Sequence, residues 1–355
     1  MTEKVLKTGV AYHGNRILRH VEEDMKDIAG HNMNIVVHMF THNDWDRHLG
    51  VMKNIFDLSR ENGLEVWVDN WGLGGSPGDK SHFLEYYPDS HQVFNDGEVS
   101  PTQVCLNSPH FLEFTKQWID AVKDCGGDKI FWDEPHFFTI NTKSNDHYTA
   151  HGDKFTCCCK RCKKLFEEKY GKEMPNELTE EVEEFRKESI TKYFDEVTTY
   201  AASKGMENIS CIMPHTLKQT SGIAQLPNIS NFGIDPYWRC TGNIKDGKII
   251  KSPYDFLYDS TKEAAALVEP TGKDYNIWLQ AFGIPENAEE EFFMAADGAY
   301  DAGARNILTW SYRGAESNTY KSARCEYLWH IIGEAMRRLK DRNLDAIRNE
   351  YYSKK

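Results

Sequence analysis

The sequence predicts a (β/α)₈ TIM barrel, and three features carry the prediction. Eight short apolar runs each stop in polar residues, and amphipathic stretches of helix length lie between most of them. No glycine-rich dinucleotide fingerprint follows the first run, which weighs against the alternative of a doubly wound open sheet. Two long connections, 72–108 and 135–178, follow the third and fourth runs, where barrels build their functional loops.

The runs are TGVAYH (8–13), MNIVVHMF (33–40), LEVWVDNW (64–71) and KIFWDE (129–134). They continue with ISCIMPH (209–215), NFGIDPY (231–237), YNIWLQAF (275–282) and RNILTWSY (305–312). Of the intervening stretches, DWDRHLGVMKNIFDLSRENG opens on Asp44 as a candidate N-cap and closes on Gly63. SPHFLEFTKQWIDAVKDCGG has Ser108 as cap, Pro109 in its first turn and a double-glycine stop. TEEVEEFRKESITKYFDEVTTYAASKG and PENAEEEFFMAADGAYDAGA follow the same grammar, whereas 216–230 reads as poorly helical. The expected division is a catalytic barrel over 1–340 and a charged C-terminal helix or tail over 341–355.

With 355 residues, 40% of them hydrophobic and 12% aromatic, the chain can bury a sizeable core. A net charge of −13 argues against nucleic acid or an anionic membrane as partner. The opening MTEKVLKTGV has no apolar h-region, and no run of about eighteen apolar residues occurs, so the expectation is a cytoplasmic protein without a membrane span. Nine cysteines, an odd and unevenly spread set, fit reduced or metal-bound thiols better than a disulfide framework. Cys125, Cys211, Cys240 and Cys325 read as small buried apolar residues, and the sequons at Asn208 and Asn228 as coincidence.

Acids stand where apolar runs end. Asp69 closes the third, Asp133 and Glu134 the fourth, and Asp235 the sixth. His13, His38, His215, Arg239, Gln280, Trp310 and Tyr312 fall at similar heights. Trp67, Trp71, Trp132, Trp238, Trp278 and Trp310 lie nearby, and an aromatic wall beside a carboxyl raises its pKa and suits a general acid. Acids among aromatics describe a sugar cleft, and no P-loop is present. Glu134, Asp133 and Asp235 are therefore the candidate catalytic groups. Asp69, Trp71, His215, Tyr237, Trp238, Arg239, Gln280, Trp310 and Tyr312 are the candidate substrate contacts.

FTCCCKRCKKLFEEKYG (155–171) sets Cys157, Cys159 and Cys162 in a C-x-C-x-x-C spacing, compact enough to chelate a soft tetrahedral metal such as zinc. A closed four-ligand site would staple a long loop, and the fourth ligand must come from elsewhere.

VCLNSPHFLEF (104–114), a strand ending in an acid, the cysteine cluster and LFEEKYG together resemble the zinc-bearing β-galactosidases of glycoside hydrolase family 42. That resemblance covers roughly 104–171. It implies Cys105, Cys157, Cys159 and Cys162 as zinc ligands, Glu134 as acid/base, and a homo-oligomer. Two positions depart from the family: Asp133 stands where it has Asn, and Gln280 where it has its nucleophilic Glu. The Asp-Glu-Pro triplet is similar to the N-acetylhexosaminidases of families 20 and 123. In those enzymes the substrate's acetamido oxygen attacks, the Asp polarises it and the Glu donates the proton. Because neighbours in a regular strand face opposite ways, both acids reach one site only if the chain turns there, and Pro135 favours a turn.

The expected function is a glycoside hydrolase acting on a carbohydrate, with Glu134 as proton donor and Asp133 or Asp235 as its partner. Two alternatives stand beside it: a carbohydrate-binding barrel without catalysis, and a metal-dependent sugar isomerase or epimerase using His38, His42 and His215.

Overall fold

The structure, a computed structural model, describes residues 4–75, 81–143, 152–240, 242–245 and 247–353. All eight expected strands form: β1 (Lys7–Tyr12), β2 (Ile35–Met39), β3 (Glu65–Asp69), β4 (Lys129–Asp133), β5 (Glu207–Ile212), β6 (Ile229–Ile234), β7 (Asp274–Gln280) and β8 (Asn306–Trp310). Each lies beside its sequence neighbour, and β8 returns to β1, so the sheet closes as a barrel. The principal helices are α1 (Leu18–Gly30), α2 (Leu49–Glu61), α3 (Pro109–Asp124), α4 (Lys160–Tyr170), α5 (Glu180–Ser203), α6 (Pro253–Val268), α7 (Glu291–Asp301) and α8 (Cys325–Ser353). α8 runs without a break through position 341. No helix among the described residues is long and apolar enough to cross a membrane.

By internal contacts the chain forms two compact units. The first comprises Met1–Met39, Gly50–Val68 and Asn231–Lys355. In it, parallel pairing aligns Gly9 with Ile35, Lys7 with Asn306, Gly233 with Asn276 and Ile277 with Ile307. A polar strut joins the first and last β/α elements. The Tyr12 hydroxyl donates to Asp24 at 2.6 Å, and the Tyr312 hydroxyl donates to Asp24 at 3.2 Å and to Asp27 at 2.9 Å. The Trp329 indole completes it by donating to Asp27 at 2.9 Å. The aromatic rings supply the buried area while their polar edges find acceptors.

The second unit comprises Phe40–Leu49 and Asp69–Ser230. Here β4 and β5 pair from Lys129↔Glu207 to Asp133↔Cys211. Ser108 caps α3 by accepting from the Phe111 N–H, with Pro109 in the first turn, and Thr179 caps α5 by accepting from Val182. Asp44 is not an N-cap. Thr41 takes that role: its hydroxyl accepts from the Asp44 N–H while the Asp44 carboxylate accepts from the Thr41 N–H, at 3.2 and 3.1 Å. This is a reciprocal capping box, whose acid sits three residues inside the helix. The stretch 216–230 contains only short turns, as its sequence implies. The two long connections carry small hairpins, His91–Val93 with Val99–Val104 and Thr139–Ile140 with Lys154–Phe155. Cys125 and Cys211 are buried, but Cys240 and Cys325 are only half-buried, against expectation.

One backbone position in the first unit tolerates no side chain. A Cβ on Gly233 would lie 1.9 Å from Asn276 Oδ1, and that buried amide donates to Asn231 and accepts from the Trp278 indole at 2.7 and 2.9 Å. Gly233→Ala must push the amide out of both bonds. The expected cost is about 1–3 kcal/mol, read as a lower urea midpoint at an unchanged slope.

Candidate functional site

β3 and β4 end side by side in acids. The Asp69 carbonyl accepts from the Phe40 N–H at 2.9 Å, and the Asn70 N–H reaches the Phe131 carbonyl at 3.4 Å. Asn70 Oδ1 in turn accepts from the Asp133 N–H at 3.2 Å. β4 then breaks its pleat at one residue. Glu134 still donates its N–H to the Cys211 carbonyl of β5 at 2.9 Å, but its φ is +39°. A left-handed non-glycine residue costs about 1–3 kcal/mol and persists only where its surroundings hold it. The holding contact here is His136, whose Nδ1 lies 2.7 Å from the Glu134 carbonyl. A carbonyl only accepts, so Nδ1 carries the proton. Burial lowers the His136 pKa to about 4, so the ring stays neutral.

The turn resolves the problem of two adjacent strand residues. Asp133 and Glu134 both line one cavity, together with Asn70, Gln92, Gln103 and Tyr193. Asp69 stands behind them, 0% exposed. Burial raises its carboxyl well above the usual range, and the charges of Asp133 and Glu134 raise it further. Burial and then Glu134 do the same to Asp133. Among the described residues neither Asp69 oxygen has a well-formed hydrogen bond, and the Trp71 backbone N–H supplies a weaker stabilisation. Asp69 and Asp133 therefore hold their protons to higher pH than ordinary carboxyls do.

The cysteines behave as their spacing implies, and Cys105 joins them. The ligand sulfurs of Cys105, Cys157, Cys159 and Cys162 all lie within 4.8 Å of one another, and all four residues are buried. Cys105 Sγ is 3.4 Å from Cys162 Sγ and 3.8 Å from Cys159 Sγ. Metal–sulfur bonds of ~2.3 Å in a tetrahedron place sulfurs ~3.8 Å apart, so the quartet fits a four-thiolate ion with no position left open. The Cys162 N–H points at Cys159 Sγ and the Asn107 amide at Cys162 Sγ, both at 3.4 Å. Hydrogen bonding to Cys157 holds Cys105 well above the ordinary thiol range, and hydrogen bonding to Cys105 does so for Cys162. Thiols this close ionise together only around a cation.

Other expected contacts have different duties. Trp238 is 0% exposed, and its indole donates to Glu291 at 2.9 Å, so it is a core residue and not a cleft wall. Arg239 forms a two-pronged pair with Glu291 at 2.7 and 2.6 Å. Gln280 is 1% exposed and committed to backbone: it accepts from the Arg239 N–H and donates to the Phe282 carbonyl, at 2.9 and 3.0 Å. All three serve as structural ties. Tyr237 packs edge-on against Phe282, and Trp310 against His13 and Trp278. Asp235 is buried, and its carbonyl accepts from the Tyr237 N–H. Tyr312 belongs to the strut and borders a separate cavity with His13 and Asn15. His215 borders another small one with Arg186. Trp67, Trp132 and Trp278 are core, each indole bonded to a neighbouring Glu or Asn.

Of the three histidines of the isomerase alternative, His38 is bonded to Ser59, His42 is bonded to Ser81, and His215 borders a different cavity from the acid pair. Among the described residues the cysteine quartet is the one group of three or more His, Cys, Asp or Glu close enough to share an ion. Sequence reasoning missed Asn70, Gln92, His136 and Arg186. Only His136, two residues past the acid pair, carried any signal.

No family model matches the chain, and no curated protein matches it. Solved structures do match in fold. The catalytic domain of a β-amylase from Paenibacillus polymyxa aligns at 10% identity with a TM-score of 0.66, covering 94% of this chain and 100% of that one. A GH5_18 protein from Streptomyces cattleya, in complex with GlcNAc, aligns at 12% with a TM-score of 0.65, covering 96% and 81%. An endo-β-1,4-mannanase from Thermotoga petrophila aligns at 8% with a TM-score of 0.57, covering 96% and 77%. None of the three is named as a family 42 enzyme, so that likeness rests on the motif alone.

The stacked acids make stability pH-dependent with a definite sign. A carboxyl whose folded pKa is raised adds stability below its unfolded value of ~3.9 and loses it as pH climbs toward the folded one. Relative to wild type, Asp69→Asn is therefore expected to gain stability steadily as pH rises above ~4, measured by urea unfolding at pH 4, 6 and 8. A gap independent of pH would contradict the raised pKa.

Proposed function

We propose that the chain is a glycoside hydrolase in which Glu134 protonates the departing glycosidic oxygen and Asp133 orients the attacking group. The observation that carries this reading is the left-handed turn at Glu134, which brings consecutive carboxyls onto the wall of one cavity. A structural acid pair at a strand end has no need of such a turn, and the chain meets its cost with a buried histidine dedicated to it. The fold neighbours include proteins named for starch and mannan cleavage and one holding GlcNAc, which lends the carbohydrate reading its context.

Gln280 bears on the mechanism. A retaining pair needs a second carboxylate as nucleophile, and this amide is neutral and bound to backbone. Substrate assistance removes that need. In this scheme the acetamido oxygen of a bound N-acetylhexosamine forms the bond to the anomeric carbon as the bond to the leaving oxygen breaks. The Glu134 proton passes to that leaving oxygen, and Asp133 accepts the acetamido N–H. Water then opens the cyclic intermediate, and Glu134 recovers its proton. Asn70 and His136 fix the backbone on either side of the pair, so both side chains work from a rigid base.

The ion in the cysteine quartet is, in this reading, zinc in a structural role, because four thiolates close the coordination shell. The purified protein is expected to carry close to one zinc per chain by elemental analysis, and Cys159→Ser to carry much less. Equal zinc in both would remove the quartet as the site.

The same Gln280 favours a second reading, a barrel that binds carbohydrate without cleaving it. A panel of aryl glycosides, N-acetyl forms included, separates the two. Hydrolysis that falls by about 10²–10⁴-fold in Glu134→Gln, with the circular dichroism unchanged, supports the proton donor. Binding without aryl release supports the second reading, and full activity in Glu134→Gln refutes the first.

A further inference from the structure

A ring that holds a strained residue must itself be held. The His136 Nδ1–H donates to the Glu134 carbonyl at 2.7 Å, so the left-handed turn is only as firm as the placing of His136. Beyond it the loop is tied at Phe137, where the Gln219 amide accepts from the N–H at 2.9 Å and donates to the carbonyl at 3.1 Å. Arg186 donates to the carbonyls of Phe137 and Phe138 and to Thr139 Oγ1, at 3.0, 2.9 and 2.9 Å. At His136 itself the tie is Gln92, whose amide donates to the His136 carbonyl at 3.3 Å.

Gln92 is the middle residue of the short strand His91–Val93 and is 1% exposed. Its amide nitrogen also donates to the Val104 carbonyl at 3.1 Å, and its Oε1 accepts from the Thr156 hydroxyl. Carbonyls only accept, so the orientation of the amide is settled: the nitrogen faces the two carbonyls and the oxygen faces the hydroxyl. Thr156 is fully buried as well, and its Oγ1 accepts from the Phe138 N–H at 2.9 Å, which leaves its one proton for Gln92. The Thr156 N–H donates to the Phe138 carbonyl at 3.0 Å. One buried side chain therefore joins three segments that are distant in sequence, at Val104, His136 and Thr156.

Two simpler roles for Gln92 fit less well. It lines the cavity of the acid pair, which suggests a substrate contact. Yet its nitrogen already serves two carbonyls and its oxygen a hydroxyl, so a ligand gains a hydrogen from it only by breaking one of these bonds. The other role is filler under the hairpin. An apolar side chain of the same shape fills space equally well, whereas an amide bonded to three segments sets their spacing. The strand that carries it is a fixed base. The Ser90 carbonyl, just before it, accepts from the Cys105 N–H, and the Val93 carbonyl at its end accepts from the Cys158 N–H, both at 2.7 Å.

We propose that Gln92 is a positioning residue for Glu134: Gln92, steadied by Thr156, sets His136, and His136 sets the left-handed turn. The consequence for catalysis rests on the proton-donor reading of Glu134; the statement about the turn does not.

The test reads the turn and the turnover separately. In full-length protein carrying isotope-labelled histidine, the His136 Nδ1–H is identified by its loss in His136→Gln, and its exchange with water is followed by NMR. Exchange is expected to be about tenfold or more faster in Gln92→Met and in Thr156→Val than in wild type. Thr156→Ser, which keeps the hydroxyl, is expected to exchange like wild type. Unchanged exchange in Gln92→Met overturns the proposal. Against an aryl glycoside that the wild type cleaves, Gln92→Met is expected to lower kcat about 10–100-fold with KM nearly unchanged. Combining Gln92→Met with Thr156→Val is expected to cost less than the product of the two single losses, because both cut one path. Losses that multiply in full, a change confined to KM, or faster exchange with full kcat each overturn the positioning role. Should Gln92→Met fail to fold, the two Thr156 variants decide: fast exchange in Thr156→Val with wild-type exchange in Thr156→Ser supports the proposal, and equal exchange in both defeats it. Full activity in Glu134→Gln refutes the proton donor by itself, and the exchange measurement keeps its meaning as a statement about the turn.

Discussion

The arrangement of the second unit depends on one backbone turn. A strand presents neighbouring side chains to opposite faces, so two acids in succession would normally serve two different places. Glu134 escapes that rule by leaving the β region, while its N–H keeps the β-ladder bond to Cys211 and its carbonyl takes the His136 proton. The chain is thereby still strand on one side of the residue and already loop on the other. Asp69 adds a third carboxyl behind the pair, with no hydrogen bond of good geometry to relieve it among the described residues. The stability lost by burying these acids together is the kind of local sacrifice expected where chemistry is done.

Holding such a turn requires a firm loop, and the loop is long. Among its described residues, the connection from β4 to α5 has little regular structure, namely the short pairing Thr139–Ile140 with Lys154–Phe155 and the helix α4. It gains rigidity from side chains: Gln92, Thr156, Arg186 and Gln219 all bond to backbone between 136 and 139 or to each other. The cysteine quartet pins the far end, bringing 105 and 157–162 together across the hairpin. The cysteine quartet and the acid cavity are therefore adjoining parts of one loop assembly.

Much of this was legible in the sequence. Strand positions followed from apolar runs, and helix starts from Ser108 and Thr179, because hydrophobic periodicity and caps are local properties. The quartet was legible because three of its members share six residues. Asp44 misled, since a box acid and a cap acid are the same residue type three positions apart. The tryptophans misled for a related reason: an indole reads as a stacking wall or as core, and only burial decides, as it does for Trp238. Gln280 and Arg239 stand at strand ends like substrate contacts, yet bond to backbone and to Glu291. Gln92 and Arg186 were illegible because their importance comes wholly from partners distant in sequence.

The strut in the first unit bears on how the chain is made. Asp24 and Asp27 leave the ribosome long before Tyr312 and Trp329, which lie 288 and 302 positions beyond their acidic partners. A nascent polypeptide therefore carries Asp24 and Asp27 through the synthesis of all the intervening residues without Tyr312 and Trp329. The seam forms only once Trp329 has emerged, so a chain cut before that residue leaves these acids unsealed and open to chaperones and proteases.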